Sequence, residues 1–135
     1  MWRIDDNQIG PGFVFTTSSR DSNNNQQYQT WYSDGVNSSS LKVISDGEIS
    51  VEGVSDDGSI VWFIDSSARL WASDPDLDPN SFSLIGNSAN DGYGIILGNE
   101  FIYNSGALGP NGEQYGNGNE LWISDGTLEG TKILK

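Results

Sequence analysis

The sequence predicts an all-β chain of three four-stranded antiparallel repeats, each about 45 residues long. Three observations carry this. The tetrad Trp-x-Ser-Asp recurs at Trp31–Asp34, Trp71–Asp74 and Trp122–Asp125. Short apolar segments flank each copy in the same order. No stretch carries a helical period, and seventeen Gly, with many Ser, Asn and Asp, penalise a helix and favour turns.

The first repeat, 1–45, holds strands expected at 1–5, 12–18, 28–34 and 40–44, the first of them weak. The second, 46–90, is the cleanest, with strands expected at 49–54, 59–65, 69–74 and 82–85. The third, 91–135, has them at 93–97, 100–104, 119–125 and 131–134. Asp46-Gly47 and Asp91-Gly92 mark the joins, 45 residues apart, and three such periods fill the 135 residues as a single repeat domain. Asp57-Gly58 falls between the first two strands of the second repeat, where a type I′ hairpin is expected because Gly accepts positive φ.

The central strands are apolar on both faces, as in Ile60-Val61-Trp62-Phe63-Ile64. A sheet wetted on one side would alternate instead, so each sheet should lie between neighbours. Four antiparallel strands per repeat, packed face to face, is the blade of a β-propeller. A two-layer β-sandwich is the alternative. Closed propellers have roughly four to eight blades. Three repeats therefore predict an open array, one completed by self-association as a two-fold dimer or a head-to-tail filament, or a piece of a longer array.

Composition narrows the function classes. Apolar residues make up 35%, so the core must be economical. Six basic against 19 acidic residues give a net charge of −13, which argues against nucleic acid and anionic membrane surfaces as partners. It favours solubility, cations or a cationic partner. The chain has no Cys and no His, which removes disulfides, the commonest general base and the usual nucleophilic triads. No apolar run approaches the roughly 20 residues of a membrane span, and the N-terminus lacks the apolar stretch of a signal peptide.

The third motif copy runs Glu120-Leu121-Trp122-Ile123-Ser124-Asp125-Gly126-Thr127-Leu128-Glu129-Gly130-Thr131. It resembles the Glu-Leu-Trp-x-Ser-Asp-Gly-Thr-x-x-Gly-Thr repeat of large bacterial secreted and surface proteins. The other copies are degenerate. The first keeps Trp31, Ser33, Asp34 and Gly35, and then has Val36-Asn37-Ser38. The second keeps Leu70, Trp71, Ser73 and Asp74, and then has Pro75 in place of Gly. The resemblance implies propeller-like blades and an extracellular or cell-surface, non-enzymatic role, and supplies no catalytic residue. Physically, the anchors Trp31, Ser33, Asp34, Trp71, Ser73, Asp74, Trp122, Ser124 and Asp125 read as structural. Trp buries apolar area between blades, Ser and Asp bond the following turn, and Gly takes positive φ.

Other candidates are weaker. Asp74, Asp76, Asp78 and Asn80 alternate oxygen ligands as the start of a calcium loop does. Pro79 stands where that loop needs Gly and no Glu closes it, so the first reading is a Pro-stiffened acidic loop and the second a calcium site. Ser55 to Trp62 faintly resembles the Asp-box turn of sialidase-type propellers, one residue short, and a plain hairpin is the simpler reading. Asn37-Ser38-Ser39 is an N-glycosylation sequon in an expected loop. Asn23 to Gln27 and Gly106 to Gly118 are expected long loops between the second and third strands, where Tyr28 and Tyr115 would line a glycan-binding rim if the loops are more than solvated connections. Acid pairs for glycoside hydrolysis arise by chance among 19 carboxylates and carry no weight.

The expected function is therefore a non-enzymatic, extracellular, self-assembling structural module whose main partner is itself. The alternative is a calcium-assisted carbohydrate-binding module. A hydrolase using paired acids is a distant third.

Overall fold

The computed structural model describes residues 3–9, 12–37, 41–86, 94–105 and 120–134. They form three four-stranded antiparallel sheets, and no α-helix occurs among them. The first sheet holds β1 (Arg3–Ile9), β2 (Gly12–Arg20), β3 (Gln26–Ser33) and β4 (Lys42–Ser45) in that order. The second holds β5 (Ile49–Val54), β6 (Val61–Asp65), β7 (Leu70–Ser73) and β8 (Ser83–Gly86). The third holds β9 (Gly94–Leu97), β10 (Glu100–Ser105), β11 (Glu120–Ser124) and β12 (Lys132–Ile133). Each sheet is a meander in sequence order, so the fourfold grouping expected from the repeat holds. The expected strand ends at residues 1, 2, 40, 93 and 119, the join Asp91-Gly92, the loop Gly106 to Gly118 with Tyr115, and Ser38-Ser39 of the sequon all lie outside the described residues. No helix of the described residues is long and apolar enough to cross a membrane.

The chain divides into two compact units, Met1–Ile49 and Ser50–Lys135. In the first, β2 and β3 pair over eight residues, from Phe13 opposite Ser33 to Arg20 opposite Gln26. Val14 and Tyr32 are directly opposite and buried, as is Ile44 on β4. Beside them Thr30 is fully buried, and its hydroxyl donates to the Gly47 carbonyl at 2.7 Å and sits 3.1 Å from that of Thr16. That pairing satisfies a polar group that would otherwise be costly to bury.

In the second unit two sheets pack face to face. Trp62, Leu70, Ala72 and Ile85 come from the second sheet, and Phe101, Tyr103 and Trp122 from the third, in one buried cluster. Trp62 stacks on Phe101 with ring centroids 5.6 Å apart, and Phe101 stacks in turn on Tyr103 at 5.4 Å. The registers explain the segregation. Trp62 is opposite Ala72, and Tyr103 is opposite Trp122, so each cross-strand pair presents its large side chains to one face. On the other face of the second sheet, Phe63 stacks with Trp71 at 6.4 Å and meets Phe82 edge-on at 4.8 Å. Consecutive Val61, Trp62 and Phe63 are all buried, which is the two-faced burial expected of this strand.

The turns share one device. Asn24 N–H donates to the Asp21 carbonyl, Ala68 N–H to Asp65, Leu77 N–H to Asp74 and Gly58 N–H to Ser55. In each, the donor residue is left-handed, with φ of 66°, 59°, 49° and 73° respectively. Each is a four-residue turn closed by an i to i+3 bond, with a left-handed residue at its last position. This corrects the type I′ turn expected at Asp57-Gly58, because only Gly58 of that pair has positive φ. The Ser55 hydroxyl decides the matter by accepting from the Ser59 and Ile60 N–H groups, both at 3.0 Å, which closes a wider turn.

The Asn23 to Gln27 loop is likewise shorter than expected. Asp21 Oδ1 accepts from the Asn23 and Asn25 N–H groups at 2.9 Å each, which closes the hairpin in five residues and puts Gln26 and Gln27 into β3. Asp65 repeats the arrangement with Ser67 at 2.9 Å and Arg69 at 3.0 Å.

Two stability outcomes follow. Phe101→Ala removes the ring between Trp62 and Tyr103 and is expected to lower unfolding free energy by about 3–5 kcal/mol in urea titrations. Ala68→Gly relieves a left-handed Ala on an exposed turn and is expected to raise it by roughly 0.5–1 kcal/mol, whereas a decrease would show that Ala68 is not held left-handed.

Candidate functional site

The Trp-x-Ser-Asp anchors occupy the same place in each sheet: the end of the third strand and the turn beyond it. Trp31 is opposite Phe15 on the second strand and Val43 on the fourth. Trp71 is likewise opposite Phe63 and Leu84, and Trp122 opposite Tyr103 and Ile133. The same registry makes Phe13, Val61 and Phe101 equivalent, each opposite the motif Ser.

The motif polar groups build the turn. The Ser33 hydroxyl accepts from Gly35 N–H at 3.1 Å and that of Ser124 from Gly126 N–H at 3.0 Å. Asp34 Oδ1 accepts from the Val36 and Asn37 N–H groups, both at 2.9 Å, and Asp125 Oδ1 from Thr127 N–H at 2.9 Å and its hydroxyl at 2.7 Å. Gly35 and Gly126 turn the chain at φ of 73° and 88°, where a Cβ is strained. Gly130 completes the third copy, since a Cβ there would fall on the Asp125 carboxylate and displace it from its turn. In the second copy Pro75 replaces Gly and the left-handed residue moves to Leu77, which is fully buried.

The three Trp differ in surroundings. Trp122 lies between the two sheets of its unit, as expected. Trp71 and Trp31 are half-buried and send their indole N–H back to their own hairpin, to Asp65 Oδ2 at 3.0 Å and Thr17 Oγ1 at 3.1 Å. Those two acceptors were not singled out in the sequence. Their signal is position alone: each lies on the second strand two residues beyond the residue opposite the motif Trp.

The acidic loop is occupied with its own backbone. Asp74 Oδ1 accepts from Asp78 N–H at 3.0 Å, and Asp78 Oδ1 accepts from the backbone and side-chain amides of Asn80 at 2.9 and 3.0 Å. Asp78 thereby caps the short 3-10 turn Pro79–Ser81. Asp76 is exposed, and among the described residues no three acids are grouped as a metal site requires. Asn37 is exposed and donates its side-chain amide to Asp34 Oδ2 at 3.3 Å. Tyr28 lies on β3, within the strand expected at 28–34.

A polar clasp joins two hairpin tips within the second unit. Asp56 N–H donates to the Gly98 carbonyl at 2.9 Å, Asp57 N–H to Asn99 Oδ1 at 3.3 Å, and Asn99 Nδ2 to Asp57 Oδ2 at 2.9 Å. Hydrogen bonds from the side chains of Ser59 and Ser55 hold the Asp57 carboxyl down from 3.8 to about 2. Asp21 and Asp125 are lowered by the same kind of contact, led by Asn25 N–H and the Thr127 hydroxyl respectively. Burial pushes Glu52 on β5 the other way.

Two sheet faces carry apolar side chains that equivalent positions elsewhere bury. On the third sheet, Ile95, Leu97, Leu121 and Leu134 are exposed, with half-buried Ile102 and Ile123 between them. Leu121 is 46% exposed, while its equivalent Leu70 is fully buried under the third sheet. On the first sheet, the Trp31 face carries Phe13 and Val43 exposed, with Phe15 and Trp31 half-buried. Phe13 is 46% exposed, while its equivalent Phe101 is 1% exposed between sheets. Scattered exposed apolar side chains need no explanation, but a contiguous patch does.

The Asp57 geometry has a pH consequence. Its folded-state value is depressed, so the stability it contributes is present above 3.8 and is lost as pH falls through about 2. Asp57→Asn is expected to weaken the clasp at neutral pH and flatten the acid limb of a stability–pH curve followed by Trp fluorescence, and superimposable acid limbs would exclude that role. No family model, no curated protein and no solved structure matches the chain.

Proposed function

We propose that the chain is a non-enzymatic, extracellular structural module of propeller-blade type that works by associating with further copies of itself through its sheet faces. One observation carries the reading: equivalent positions are buried where a neighbouring sheet is present and exposed where none is. Leu70 and Ile85 are fully buried in the second sheet, and their equivalents Leu121 and Leu134 are 46% and 44% exposed in the third. The residues on these faces are those of a sheet that has a neighbour, as in repeat arrays, where each unit buries the next. The likeness of Glu120 to Thr131 to the repeat of secreted and surface proteins supports the extracellular placement.

Association competes with a net charge of −13 on every copy. Screening weakens that repulsion while leaving apolar burial intact, so added salt should favour assembly. Light scattering with negative-stain microscopy is expected to show particles heavier than the 14.7 kDa chain, growing with concentration and with salt. Leu121→Asp, at an exposed position, should reduce them to monomers without loss of β-sheet circular dichroism. A chain that stays monomeric at high concentration and high salt would overturn the reading. A calcium titration and glycan array would then test the carbohydrate-binding alternative through Asp74, Asp76, Asp78 and Asn80.

A further inference from the structure

Resting on that reading, we infer that copies associate head to tail, with the Trp31 face of one chain's first sheet seated on the Leu121 face of another chain's third sheet. The second unit contains the template. There the Trp122 face of the third sheet, with Phe101 and Tyr103, packs on the face of the second sheet made by Trp62, Leu70, Ala72 and Ile85. The strand registers give the equivalents of both sides. Phe101, Tyr103 and Trp122 correspond to Phe13, Phe15 and Trp31 on the first sheet. Trp62, Leu70 and Ala72 correspond to Ile102, Leu121 and Ile123 on the third.

The first sheet thus bears a copy of the upper half of an interface that the molecule already makes, and the third sheet bears a copy of the lower half. The upper face is aromatic, as in the template. The lower face is aliphatic, so the Trp62–Phe101 stack becomes Phe13 against Ile102. In the second unit a Trp-bearing face packs on a Leu70-type face, and neither a pair of Trp-bearing faces nor a pair of Leu70-type faces meets there. A two-fold pairing would need one of those untried contacts, whereas head-to-tail packing reuses the existing one. Such a heterologous contact joins copies into a ring if the rotation closes and a filament if it does not.

The second unit also fixes where the rims should meet. Gly126 lies against Ile60, with the position of its absent Cβ 3.0 Å from Ile60 Cγ2. The equivalents are Gly35 and Glu100, and the neighbour of Gly35 is Val36, which is 84% exposed. Because the chain has no Cys, Val36→Cys and Glu100→Cys each introduce a single thiol at the rim, outside the buried contact. Treated with a short bismaleimide, the two variants mixed should give a covalent dimer, and each variant alone should lose it. Light scattering on the same samples separates the two ideas. Particles heavier than a monomer that cross-link within one variant alone, or not at all, would overturn head-to-tail packing and leave self-association standing. Monomers in every sample would overturn both.

Discussion

The face-to-face packing of two sheets, with Trp62 stacked on Phe101 between them, is the constraint on which the rest of the second unit depends. A four-stranded meander of four- to six-residue strands cannot bury both of its faces alone. Residues 61–63 are buried on both faces, Trp62 against the third sheet and Phe63 beside Trp71 and Phe82. Most other features of the unit serve that contact. The motif turn ends the strand that carries Trp122, and the Asp57–Asn99 clasp ties two hairpin tips across the sheets. Where the neighbour is absent, the same side-chain types become exposed.

Among the described residues the turns are held by short-range carboxylate and hydroxyl contacts, with one ion pair, Arg69–Asp65. Asp21, Asp34, Asp65, Asp74, Asp78 and Asp125 each accept N–H groups two to four residues on, so much of the acidity is local turn chemistry. Arg69 pairs with Asp65 at 2.7 Å, its guanidinium exposed and the Asp65 side chain only 13% exposed. Its guanidinium also lies over Trp71, 5.3 Å from the ring, and the same Asp65 oxygen accepts the indole N–H. One carboxylate thus fixes the hairpin and the exposed side of the motif Trp together.

The same arrangement separates the strong negative charge from the apolar faces. The acids concentrate in turns and at sheet rims, and the two open faces are built chiefly from Phe, Trp, Ile, Leu and Val. Salt screens the charge of the rims, whereas it does not weaken apolar burial. Under the proposed self-association, ionic strength would act chiefly through the charged rims rather than through the apolar contact.

The sequence by itself determined the fold class, the four strands of each sheet and the Trp-Ser-Asp turns. These are local matters: apolar segments of strand length, turn residues between them, and hydroxyls and carboxylates within reach of the next few N–H groups. It also determined that the central strand of the second sheet is buried on both faces. Only the tertiary structure decided what fills each face. Trp31, Trp71 and Trp122 look alike in sequence, yet only Trp122 lies in the buried cluster between the two sheets of the second unit, because that depends on the sheet packed opposite. Leu70 and Leu121 are the same residue at the same place in their repeats, and a neighbouring sheet alone makes one buried and the other open. The Asp57–Asn99 clasp was equally hidden, since its partners stand 42 residues apart and meet only when the two hairpins are brought together.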